Sequence, residues 1–215
     1  LSFGANIEAS GGVVGAWRHG VARERGMKRI QFEPHLSVTG AASAEWVPIR
    51  PKTDAAFLFS LIHVLLHEMP REKLDVPFLK QHTGSPYLIG PNGFYLRDPA
   101  TRKPLLWDLK RNAAVPFDTP DTDPALDGAF TLDALEVGAD EQTWTHAGLT
   151  AETAFGKLVA RVKPYTPEWA EKTCDVREGT VRRIAAEYVE HAQVGATIDA
   201  IDVMKAGGWA VEKYL

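Results

Sequence analysis

Cysteine is nearly absent. Cys174 is the one thiol in 215 residues, which excludes an intramolecular disulfide framework and any zinc or iron–sulfur site built from several thiolates of this chain. A surplus of either charge is missing as well: 24 Lys and Arg stand against 28 Asp and Glu, a formal net charge of −4. A basic surface that displaces counterions from nucleic acid is therefore not expected. The longest apolar run, Ala55 to Leu66, spans about twelve residues and contains Ser60 and His63, against roughly twenty needed to cross a bilayer. No transmembrane helix is expected from it. The chain also lacks an initiator Met and a basic-then-apolar leader, opening on Leu1-Ser2 and Gly-rich sequence, so it reads as a cut inside a longer chain. No internal repeat is visible. What remains, 45% hydrophobic and 24% charged residues, is an ordinary globular composition with core enough for one large domain or two small ones.

Leu1 to Phe3 reads as the tail of a buried strand, and Gly4 to Gly12 as a loop too rich in glycine for regular structure. A helix is expected next, with Val13, Val14, Trp17, Val21 and Ala22 at three- and four-residue spacings and Gly26 ending it. Lys28 to Phe32 then reads as a strand broken by Glu33-Pro34-His35, because the residue before a proline is pushed out of helical geometry. Strand, glycine loop, helix and strand make one βαβ unit. Glu45 to Ile49 is a further short strand, and Thr53 is a plausible cap for a buried helix carrying Asp54 in its first turn and Ala55, Leu58, Phe59, Ile62, Leu65 and Leu66 on its apolar face. From Thr83 to Val115 the pattern changes to hairpins: Gly90-Pro91-Asn92-Gly93 separates two short alternating runs, and a second turn lies between Asp98-Pro99 and Lys103-Pro104. Pro116 to Asp127 is an acidic surface loop; helices are expected over Thr153–Val162, from Pro167 after a Thr166 cap, and over Val176–His191.

Three segments could carry chemistry. Backbone amides in the Gly4–Gly12 loop and at the following helix start can bind phosphate, although the same glycines also serve close helix–strand packing. Glu33 and His35 leave the next strand at the same sheet edge, where a carboxylate either accepts hydrogen bonds from a ribose or caps the following turn. Asp54, after Arg50-Pro51-Lys52-Thr53, can accept bonds from the N1 and N2 donors of a guanine or act simply as a first-turn acid.

Together these stretches resemble the dimethyl sulfoxide reductase family of molybdopterin-guanine-dinucleotide oxidoreductases. Phe3-Gly4-Ala5-Asn6 resembles that family's Gly-Ser/Ala-Asn loop, Glu33-Pro34-His35 stands in place of its Asp-Pro-Arg, and Trp46-Val47-Pro48-Ile49-Arg50-Pro51-Lys52-Thr53-Asp54-Ala55-Ala56 in place of its Trp-to-Pro-Gly-Thr-Asp segment. Leu61–Leu66, Phe78–Thr83, Tyr165–Ala170 and Ile184–Tyr188 also resemble family segments, so the likeness covers most of residues 1 to 192. The sequence departs in three places: Glu33 is one methylene longer than the Asp, His35 replaces Arg, and Lys52 replaces Gly.

The resemblance implies an α/β fold of the formate dehydrogenase and dimethyl sulfoxide reductase type: a Rossmann-like, mostly parallel sheet over 1–83 and 151–196, a hairpin insertion over 84–150, C-terminal helices, and a divergent tail over 197–215. It further implies an internal fragment of a catalytic subunit, inactive alone. One guanosine end of the molybdenum or tungsten cofactor would be held by Gly4, Asn6, Glu8, Ser10, Glu33, His35, Lys52 and Asp54, while the metal ligand and an iron–sulfur cluster lie elsewhere in the parent. Implied partners are the remaining domains and an iron–sulfur electron-transfer subunit, in the bacterial cytoplasm or periplasm. The alternative is a non-catalytic Rossmann-like nucleotide-binding or packing module. Cys174 stands where the family has a small residue and reads as structural. His63 and His67 lack a third metal ligand in the sequence pattern, Ser10, His19 and Asp54 lack a nucleophile elbow, and Trp17, Trp46, Trp107, Trp144, Trp169 and Trp209 share no period and read as core or interface packing.

Overall fold

The computed structural model describes residues 1–191 apart from 133–134, 140–141 and 147, with backbone alone for the other residues of 133–147. The tail 197–215, Trp209 and the Trp144 side chain lie outside the described residues. Among the described residues the chain forms two compact units, Leu1–Glu68 with the segment from Pro164 to His191, and Met69–Lys163.

In the first unit the elements run β1 (Ser2–Phe3), α1 (Ile7–Ser10), α2 (Gly12–Glu24), β2 (Ile30–Glu33), α3 (Val38–Ala41), β3 (Glu45–Pro48) and α4 (Asp54–His63), the last continuing into a π-helical turn, Val64–Glu68. The three strands form a sheet in the order β1-β2-β3 with both pairings parallel, Phe3 opposite Phe32 and Phe32 opposite Val47. All four residues of β2 are buried, as expected of a central strand covered on both faces. Its Phe32 stacks on Phe3 at 4.2 Å between ring centroids and meets Phe57 of α4 at 4.7 Å.

Four details differ from the sequence reading. The Gly4–Gly12 segment contains a helical turn, α1, because Glu8 N–H finds the Thr39 hydroxyl and Ser10 Oγ donates to Asn6 O at 2.7 Å, which satisfies groups a bare loop would leave open. α2 forms as expected but buries no residue, and Val13, Val14 and Trp17 are 86, 61 and 66% exposed. α4 turns Phe57, Ser60, Leu61 and His63 inward, while Leu58 and Phe59 are exposed; the helix is apolar nearly all round, so periodicity could not choose its inner face. Thr53 starts α4 without a side-chain cap, its hydroxyl donating to Arg50 O at 2.7 Å. The preceding Lys52 takes a left-handed backbone, φ 66°.

The second unit carries α5 (Val76–His82), β4 (Leu88–Ile89), β5 (Leu105–Asp108), β6 (Ala113–Pro116), β7 (Ala129–Leu132), β8 (Leu135–Ala139), β9 (Gln142–His146), β10 (Leu149–Thr153) and α6 (Ala154–Val162). All of its strand pairings are antiparallel among the described residues, so parallel order is confined to the three-stranded sheet and the molecule is mixed α/β. The expected hairpin is present, with Gly90 N–H donating to Phe94 O and Gly93 at φ 83°. Leu88, Leu96, Leu105, Leu132, Leu149 and Ala151 form this unit's core.

The chain returns to the first unit with α7 (Pro167–Cys174), whose start is capped by the Thr166 hydroxyl accepting from Trp169 N–H, and α8 (Thr180–His191). α8 begins later than the periodicity suggests because Asp175 and Gly179 both adopt positive φ and form a turn between the helices.

Candidate functional site

Because β1, β2 and β3 are parallel neighbours, the segments that follow them leave one edge of the sheet together: Gly4–Ser10 after β1, Pro34–His35 after β2, and Arg50–Asp54 after β3. In open parallel sheets this carboxyl edge is where ligands bind, since successive loops diverge and leave a crevice there. The first segment is pinned to its neighbour by Gly4 N–H donating to Phe32 O at 2.9 Å. Gly4 and Gly12 have positive φ, 62° and 70°, and no heavy atom lies within 4 Å of where a Cβ would sit. The amides of the first turn of α2 have no partner within that helix, as at any helix start.

The side chains beneath this segment form a continuous polar network. Arg29, just before β2, is 7% exposed; its guanidinium donates to Glu8 Oε1 at 2.7 Å, His19 Nδ1 at 2.9 Å, Ser43 Oγ at 3.0 Å and Thr39 O at 3.3 Å. His19 Nδ1 lies 3.5 Å from the same Glu8 oxygen. Thr39 Oγ1 donates to Asn6 Oδ1 at 2.8 Å and accepts from Glu8 N–H at 2.9 Å. The hydrogen bond and charge of Arg29 hold the Glu8 carboxyl below its ordinary value, against the opposing effect of burial.

Glu33 is 3% exposed and engaged from within. Its carboxylate accepts from Ser37 N–H at 2.7 Å, Ser37 Oγ at 2.9 Å and Gln31 Nε2 at 3.1 Å. Burial alone would raise its pKa, but these bonds from the Ser37 amide, the Ser37 hydroxyl and Gln31 together bring it below the ordinary value. Gly40 closes over it, since a Cβ there would overlap Glu33 Oε1. Gln31 Nε2 also donates to Ala5 O at 3.2 Å, while its buried Oε1 has no partner.

The third segment is held by α7. Arg50 N–H donates to Cys174 O at 2.8 Å, Arg50 Nη1 to Thr173 O at 3.1 Å, and the buried Cys174 thiol to Thr53 O at 3.4 Å. Burial, with a smaller contribution from Asp54, pushes that thiol up despite the bond to Thr53, as expected of a structural thiol. Lys52 is exposed and Asp54 half-buried.

The structure thus brings Gly4, His35, Lys52 and Asp54 to one edge, and draws Asn6, Glu8 and Glu33 into internal bonds. Ser10 turns back on its own segment. Ser10 and His19 each bond elsewhere, so with Asp54 they form no triad. His63 and His67 pack on one helical face with centroids 4.8 Å apart. Sequence reasoning passed over Arg29, Gln31, Ser37 and Thr39. A signal was present: Arg29, Gln31 and Glu33 alternate with Ile30 and Phe32, the period-two pattern of a strand with one polar face.

No family model matches the chain. It is 28% identical over 181 residues to a sulfite dehydrogenase subunit of Allochromatium vinosum, covering 77% of this chain and 17% of the relative. It is 27% identical over 176 residues to the alpha subunit of chlorate reductase from Ideonella dechloratans, covering 79% and 19%. A shorter stretch of 56 residues is 41% identical to a dimethyl sulfoxide reductase of Haemophilus influenzae, covering 26% and 7%. The chain therefore spans less than a fifth of the length of these curated relatives.

Proposed function

The chain is a relative of the molybdopterin oxidoreductases of the dimethyl sulfoxide reductase family, and from that premise we propose that it holds one guanosine end of a molybdopterin guanine dinucleotide. The parent protein is then the catalytic subunit of a molybdenum or tungsten oxidoreductase that passes electrons to iron–sulfur centres. This stretch would be inactive alone, consistent with a Rossmann-like cofactor-holding role. The bound group supplies the redox chemistry; this chain supplies position and hydrogen bonds.

One observation carries the reading: three segments leave adjacent parallel strands at one sheet edge, with Gly4 open to close approach and the Asp54 carboxylate, in the first turn of α4, making no side-chain hydrogen bond to the described residues. The open glycines and the amides at the start of α2 suit a pyrophosphate, Lys52 adds a positive charge to the same edge, and the Asp54 carboxylate suits the paired N–H donors of guanine. Glu33 does not fit the sugar in this arrangement, because all three of its bonds go to Ser37 and Gln31.

Calorimetric titration of the chain with GDP and ADP tests this. GDP is expected to bind in preference to ADP, and Asp54→Asn to lower GDP affinity about 10- to 100-fold, the weight of hydrogen bonds to a charged group. Equal binding of both nucleotides, or of GDP by both proteins, overturns guanine recognition by Asp54. Metal analysis of the matured parent tests the wider claim, and absence of both molybdenum and tungsten would sink it. A packing module draws on a different observation, the exposed Val13, Val14 and Trp17 of α2, and predicts no nucleotide binding.

A further inference from the structure

A pyrophosphate needs a surface free of negative charge, yet the segment offered to it carries a carboxylate of its own, Glu8, within α1. That carboxylate does not face outward. Arg29 reaches across from the foot of β2 and takes Glu8 Oε1 at 2.7 Å, and His19 approaches the same oxygen at 3.5 Å. Arg29 and His19 are the charged or titratable groups that act on Glu8 among the described residues. The neutral anchors act in the same direction: Thr39 occupies Asn6 Oδ1 and Gln31 occupies Ala5 O. Two acceptors of the segment are thus tied down from beneath, and the amides of the first turn of α2, which the helix itself does not bond, remain as donors at its end.

We infer that Arg29 is a charge-masking positioning residue for the Gly4–Gly12 segment, holding the Glu8 carboxylate inward so that the segment accepts an anionic phosphate. This rests on the proposed reading of the segment as a pyrophosphate site. Arg29 touches no ligand itself; it acts through Glu8. A guanidinium suits the task because its fixed fork bonds Glu8, His19, Ser43 and Thr39 at once, which keeps the buried charge compensated. Without that charge, Glu8 would oppose a phosphate bound at the segment.

The test uses the whole chain with GDP, and inorganic pyrophosphate as a second probe. Arg29→Gln keeps hydrogen-bonding capacity but removes the charge, and is expected to lower affinity for both probes about tenfold. Arg29→Lys is expected to retain binding, and the double variant Arg29→Gln/Glu8→Gln to recover it to within about twofold. A purely structural Arg29 would leave the double variant as weak as the single one, which overturns the proposal, as does unchanged binding by Arg29→Gln. A ligand-free readout separates this from the site reading: carbon-detected NMR titration of Glu8 should show it titrating below the ordinary carboxylate range in the wild-type chain and returning to that range in Arg29→Gln. Ordinary titration in the wild type overturns the masking whatever the chain binds, and also decides the matter should Arg29→Gln fail to fold. Failure of wild-type chain to bind either probe overturns the pyrophosphate reading instead.

Discussion

The two faces of β2 divide the first unit into regions of opposite character. Ile30 and Phe32 enter an apolar region where Phe3, Phe32 and Phe57 pack ring against ring. One residue away on each side, Gln31 and Glu33 enter a region as completely buried but bound by directed hydrogen bonds. The apolar face contributes non-directional burial and tolerates substitutions of similar shape. The polar face contributes less net stability per residue, because each bond replaces one to water. What it contributes instead is position: its partners are Ala5, in the segment after β1, and Ser37, the cap of α3 just beyond the segment after β2.

The largest expected effect lies on the apolar face. Phe32→Ala removes a fully buried ring at the centre of three and should cost about 3–5 kcal/mol, read from urea unfolding; a loss below about 1 kcal/mol would erase the contrast between the faces. On the polar face, Glu33→Gln should cost about 1–3 kcal/mol at neutral pH and change its pH dependence. The Glu33 pKa is lowered on folding from an ordinary 4.5, so its contribution is present above that value and is lost as pH falls through the lower, folded value. The wild-type unfolding midpoint should therefore decline in that acidic window more steeply than the variant's, and parallel curves would show that Glu33 is not held as described.

Ser37→Ala removes both a donor to Glu33 and the oxygen that accepts from Gly40 N–H at 3.1 Å. It should cost about 1 kcal/mol, and combined with Glu33→Gln it should cost less than the sum, since the two share a bond. Strict additivity in that cycle would deny the network. The smallest effect is expected at Lys52, whose left-handed φ of 66° suits glycine. Lys52→Gly should raise stability by roughly 0.5 kcal/mol, the backbone strain relieved less the entropy that glycine adds to the unfolded chain. The same variant should weaken GDP binding if Lys52 meets a phosphate; unchanged affinity would remove it from the site.

Much of this was legible from residue order. Glycines at both ends of α2, Pro34 after β2, Thr166-Pro167 before α7 and the Gly90–Gly93 turn each impose a local geometry, and elements start and stop near them. The order of strand, glycine loop, helix and strand pointed to a parallel unit, and the structure has one. The inner face of α4 was not legible, because residues such as Leu58 and Phe57 are equally apolar and only packing on Phe32 chooses between them. The exposed Val13, Val14 and Trp17 of α2 were not legible either, since amphipathic spacing states which residues share a face and not whether anything covers it.

For the candidate site the division follows the range of the forces involved. Residue order by itself determined which segments follow which strands, and with it the gathering of Gly4, His35, Lys52 and Asp54 at one edge, because turns and strand direction are local consequences of glycine, proline and alternation. It also carried the likeness to the molybdopterin oxidoreductases. Only the tertiary structure decided where the carboxylates point. Glu8 and Glu33 turn inward because Arg29, Thr39, Gln31 and Ser37 reach them from other elements, and a buried charge takes the direction of the partners that compensate its lost hydration.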